Sequence, residues 1–184
     1  DELAQVTQKF SENVLDATQA WELHLPEDQD LAGLPESARA MARQAAQEKN
    51  LPGWRFTLEG PSYLAIMTYA DNREWRRQMY EAYVTRASDC GPHAGPWDNG
   101  DLIVRLLKLR TEAARLLGFA HYADYALQTR MARTVPEVME FLQDLAARSR
   151  PAAQNDIAEL QRFAREERLV ARMRILHHQM REAY

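Results

Sequence analysis

A chain of 184 residues, 46% of them hydrophobic and 27% charged, is long enough to fold around a core and to bury roughly 70% of its unfolded surface. A formal net charge of −4, with both signs interspersed, excludes the basic footprint of a nucleic-acid binder, and no run of 18 apolar residues could span a bilayer. The start DELAQVTQKF lacks a secretory pattern and the single cysteine, Cys90, cannot form an internal disulfide, so the expectation is a cytoplasmic protein with no nucleic-acid and no membrane partner.

The first predicted element is a helix running to about Leu25, because Val6, Phe10, Val14, Ala17 and Trp21 recur every three or four residues. Pro26 ends it, since proline cannot donate the next backbone hydrogen bond. After the polar connection PEDQDLAGLPES, Pro35 suits the first turn of a helix from Glu36 to Glu48. The alternation in Trp54-Arg55-Phe56-Thr57-Leu58 predicts a short strand. Gly60-Pro61-Ser62 opens another helix, with Ser62 as the expected N-cap. Asn72 to about Ala87 is amphipathic, with Trp75, Met79, Ala82 and Tyr83 on one face.

The segment SDCGPHAGPWDNGD, with three glycines and two prolines in 14 residues, must be a structured loop. Asn99 or Asp101 can cap the helix that follows, and Gly118 supplies its left-handed stop. Thr134 and Glu137 have capping-box spacing around Pro136 and open a helix to about Arg148. Pro151 is expected to begin a separate helix to about Glu167, and Arg168 to Tyr184 reads as a further helical segment. The fold class is therefore all-α in the main, a multi-helix array with at most one short strand. A lone strand leaves backbone groups unpaired, so Trp54 to Leu58 is expected to pair outside the chain.

The chemistry-bearing residues form no recognisable catalytic pattern. The five histidines are His24, His93, His121, His177 and His178; none is followed by Glu and no two stand four residues apart. The His-Glu-x-x-His helix of zinc peptidases is thus missing from these 184 residues. His178 and Glu182 are one helical turn apart and could give two ligands, but two do not close a metal site, and a solvated helix end explains them. Cys90 and His93 share a loop without a third group to orient them, so a nucleophilic pair is not indicated. No catalytic residue and no metal ligand is assigned, and the substrate-binding residues are unknown. The central aromatics, Trp54, Tyr63, Tyr69, Trp75, Tyr80, Tyr83 and Trp97, fit a core better than a ligand platform. Arg73, Arg76, Arg77 and Arg86 are expected to pair with Asp71, Glu74, Glu81 and Asp89 or to be solvated.

The ordered run Phe56-Thr57-Leu58, Pro61-Ser62-Tyr63, Met67, Tyr69 and Asp71-Asn72-Arg73 resembles the N-terminal half of the thimet-type (M3) zinc oligopeptidases. The resemblance continues through Arg76, Met79-Tyr80, Ala82-Tyr83, Arg86-Ala87-Ser88-Asp89, Trp97-Asp98-Asn99, Leu116-Leu117-Gly118-Phe119 and Tyr122-Ala123. The block RASDCGPHAGPWDN is most similar to the bacterial branch of that family. Together the match covers about Phe10 to Glu166. No single motif is diagnostic; order and spacing carry the resemblance.

The resemblance implies part of a larger, two-lobed, mainly helical, cytosolic fold that cuts short peptides in a deep channel. It places residues 1–167 in a helical N-terminal or lid region and leaves 168–184 as a C-terminal helical segment where the match fades. The family's zinc site lies in its C-terminal part, so no cofactor is expected in this chain and zinc is expected only in the full-length enzyme. The expected function is a fragment or truncated form of a zinc metalloendopeptidase, inactive alone. Its partners would be short peptides, through the full-length enzyme, and the C-terminal catalytic half. The alternative is a stand-alone non-catalytic helical module that binds peptides or a protein.

Overall fold

The computed structural model describes residues 2–166, which form two compact units divided between Leu109 and Arg110. In the first unit, α1 (Glu2–Ala20) stops five residues earlier than the apolar spacing suggests. Glu22–Leu25 instead forms strand β1, in which Glu22 and His24 point outward while Leu25 is buried. Its partner is β2 (Trp54–Thr57), antiparallel, with Glu22 opposite Thr57 and Leu25 opposite Trp54. This corrects two expectations: among the described residues there are two strands rather than one, and the predicted strand pairs inside the chain. The physical reason is that Glu22-Leu23-His24-Leu25 has a period of two, which satisfies β2's backbone groups and still buries Leu25.

Between the strands lies α2 (Glu36–Gln47), which packs on β2. Its buried residues are Ala38, Ala42 and Ala46, one per turn, and their small side chains let the helix approach the sheet closely. The chain leaves α2 through Asn50 in the left-handed region (φ 57°) and turns at Gly53 (φ 81°). A Cβ at Gly53 would stand 2.1 Å from the Leu25 carbonyl oxygen, so only glycine lets the two backbones meet there. His24 Nε2 lies 2.6 Å from the Pro52 carbonyl and ties the same turn to β1.

Helix α3 (Gly60–Tyr69) begins after Glu59; the expected N-cap, Ser62, is inside it and buried. The Ser62 hydroxyl accepts a hydrogen bond from the Thr57 amide at 2.9 Å, so it joins α3 to β2 instead of capping. Helix α4 (Arg73–Val84) is capped as its sequence suggests: Asn72 Oδ1 accepts from the amides of Glu74 and Trp75. Trp75, Met79 and Ala82 face inward and meet Trp21, Leu25, Leu31, Leu34, Phe56, Leu58 and Ile66 in one core. Each fully buried side chain of the size of Phe56, Ile66 or Met79 contributes about 1.5–3 kcal/mol. Helix α5 (Gly100–Leu116) opens in the first unit and ends in the second.

The second unit holds the end of α5, α6 (Tyr122–Leu127) and α7 (Val135–Glu166). α5 ends at Gly118 (φ 83°), where Phe119 N–H donates to the Ala114 carbonyl and Gly118 N–H to that of Arg115, the expected glycine stop. Phe119 and Tyr122 pack around Tyr125, and the Arg110 guanidinium lies 5.4 Å from the Tyr122 ring centre. α7 opens on the predicted box: Glu137 N–H donates to Thr134 Oγ1, and Glu137 Oε2 accepts from the amide of Arg133 rather than of Thr134.

The expected break at Pro151 does not occur; α7 is one helix of 32 residues with Pro151 inside it. Its apolar residues recur at one helical phase on both sides of that proline. Met139 and Ile157, Leu142 and Leu160, and Leu145 and Phe163 are each 18 residues apart, five turns at 3.6 residues per turn. The stripe therefore keeps its phase across Pro151, and good helix formers on both sides absorb a local penalty of about 3 kcal/mol. The predicted helix from Arg168 to Tyr184 lies outside the described residues. Among the described residues no helix is long and apolar enough to cross a membrane.

Candidate functional site

The histidines that could carry chemistry are dispersed. His24 is held against the Pro52 carbonyl, and His93 stacks on Trp97 with ring centres 6.0 Å apart. His121 precedes α6 at its N-cap position, with no side-chain capping bond. His177, His178 and Glu182 lie outside the described residues. Among the described residues, no three His, Cys, Asp or Glu side chains come together as metal ligands. The described donors therefore do not assemble the zinc centre that the resemblance implies for the whole family.

Cys90 is exposed, and its neighbour is Ser88: the Cys90 amide donates to Ser88 Oγ, and Ser88 Oγ lies 3.4 Å from the Cys90 sulfur. His93 stacks on Trp97 instead of serving the thiol. The loop holding both is closed at its base, where Asn99 N–H donates to the Ala87 carbonyl at 3.0 Å and Gly95 N–H to that of Ser88. Asn99 then fixes the loop to α1. Its Oδ1 accepts from Asn13 Nδ2 at 2.9 Å, and its Nδ2 donates to the Phe10 carbonyl at 3.1 Å. Both amides are buried, so the two bonds satisfy groups that would otherwise be costly to remove from water. The sequence carried a signal for this pair: Asn13 sits among Phe10, Val14 and Ala17 on the apolar side of α1. Asn99 stands at the expected N-cap position, its carbonyl accepting from the Ile103 amide, but its side chain is committed to α1, and Asp98 Oδ1 accepts from the Gly100 amide instead.

The four arginines of the central region have different surroundings. Arg77 is bidentate to Glu74, at 2.9 and 2.7 Å, and reaches Glu81 at 2.8 Å. The Arg77 hydrogen bonds, with a smaller contribution from Gln78, hold the Glu74 carboxyl down at about 2, and the same contacts raise the Arg77 guanidinium. Arg76 is buried and donates to the Ala70 carbonyl, so burial lowers its pKa, with repulsion from Arg73 adding to the effect. Arg86 lies 3.7 Å from the Tyr83 ring centre and donates to Thr18 Oγ1 and the Tyr83 carbonyl. Tyr63 stacks on Tyr83 at 4.2 Å, and burial is the main cause of its raised pKa. This stack pins α1, α3 and α4 together. Trp75 is in the core, and Trp54, Tyr63 and Tyr83 pack against it, so these aromatics serve packing, as their helical spacing suggests.

Large apolar side chains are also solvated. α7 exposes Met139, Leu142, Leu145, Ile157, Leu160 and Phe163, all between 37% and 56% accessible. The described residues thus offer sealed polar contacts in the first unit and, on α7, exposed large apolar side chains.

Residues 66–179 match the profile of peptidase family M3. Oligopeptidase A of Haemophilus influenzae is 48% identical over 165 residues, which cover 90% of this chain and 24% of that protein. Oligopeptidase A of Escherichia coli matches with the same identity and coverage. A probable cytosolic oligopeptidase A of Arabidopsis thaliana is 41% identical over 171 residues, 89% of this chain and 24% of the relative. The chain thus spans about a quarter of the length of the relatives it matches.

Proposed function

The chain belongs to peptidase family M3, and from that premise we propose that it supplies part of the non-catalytic helical wall of an oligopeptidase A-like zinc endopeptidase acting on short peptides. The observation that supports this reading is a family match at 48% identity, together with described residues among which no metal-ligand group forms. A wall segment needs rigid helices and satisfied polar contacts. The Asn13–Asn99 pair and the Arg86–Tyr83–Tyr63 stack supply both. In this reading residues 1–167 form the helical region and 168–184 a separate C-terminal segment. Zinc would be held by the part of the enzyme that carries the family's ligands, and this chain's contribution would be to shape and restrict access to the channel. The compartment in this reading is the cytoplasm, which suits a chain with one cysteine, exposed and unpaired.

Hydrolysis of a short internally quenched peptide tests the proposal directly. The 184-residue chain is expected to give no turnover with added zinc or with a chelator. Chelator-sensitive turnover would reject the wall reading and demand a metal site in this chain.

A further inference from the structure

We draw no further inference here: the strongest candidate, the surface cleft beside α2 lined by Arg39, Arg43, Gln44, Gln47 and Trp54, carries nothing because Arg39 is committed to the Leu31 and Leu34 carbonyls and Arg43 to Glu27 and the Trp54 ring, and nothing in the structure shows what covers it.

Discussion

In residues 2–109, Phe56, Leu58, Ile66 and Met79 are sealed in one core, whereas in residues 110–166 Phe141, Leu142, Leu145, Leu160 and Phe163 stand in solvent. Both stretches are patterned: α4 repeats Trp75, Met79 and Ala82 on one face, and α7 repeats Met139, Leu142 and Leu145 five turns later as Ile157, Leu160 and Phe163. What differs is that α4 has α3 beside it, while the buried hydrophobic residues of the described second unit are Ala114 and Ala164. Periodicity thus identifies the face that is to be covered and says nothing of the cover. The same class of side chain is sealed from water in one region and solvated in the other.

The sharpest way to break this comparison is a matched pair of truncations. Phe56→Ala should destabilise the chain by about 3–5 kcal/mol, because it opens a cavity in a sealed core. Phe141→Ala should change stability by no more than about 0.5 kcal/mol in the isolated chain, since the ring is already solvated. Urea midpoints followed by tryptophan fluorescence measure both; similar losses would show that α7 is covered after all.

A smaller effect is expected at the amide pair that holds the loop onto α1. Asn99→Ala strands the buried Asn13 amide and the Phe10 carbonyl, and should cost about 1–3 kcal/mol. Asn13→Ala/Asn99→Ala should lose less than the sum of the single changes, because each single change leaves the other amide unsatisfied. Strict additivity in the urea midpoints would mean that the two side chains do not depend on each other.

The smallest effect concerns a surface contact in the well-packed region. The folded pKa of Glu74, about 2, lies below the usual unfolded value of about 4.3, so its contribution is present above the unfolded value. It is lost as pH falls from there through about 2. The pair with Arg77 is exposed, so the effect on stability should be slight and weaken in high salt. A carbon-detected NMR titration of Glu74 with a midpoint near 4.3 would contradict the geometry, and Glu74→Gln should flatten this part of the acid limb.

Most helices were legible because their stop and start signals are local. Asn72 caps α4, Gly118 stops α5, and Thr134 with Glu137 opens α7, each through bonds between residues a few positions apart. The errors fell where a distant segment decided the outcome. Glu22 to Leu25 could extend a helix or form a strand, and β2, some thirty residues on, selected the strand. Ser62 could cap a helix or bond elsewhere, and the Thr57 amide took its hydroxyl. At Pro151 the local rule for proline suggests a break, yet good helix formers on both sides continue as one helix. A zinc helix is a short local pattern that can be searched for directly in a sequence, whereas the Asn13–Asn99 contact joins residues 86 positions apart.

The sequence by itself determined the helical class, the caps and the resemblance to the M3 peptidases, because these depend on residue identity at short, fixed spacing. Only the tertiary structure decided which strand pairs with Trp54–Thr57, that Asn13 and Asn99 satisfy each other 86 residues apart, and which apolar faces are sealed. The reason is physical: hydrogen bonds within a turn or a cap are set by neighbours along the chain. Burial and long-range pairing depend on which surfaces meet, and one face with a helical period is compatible with many partners.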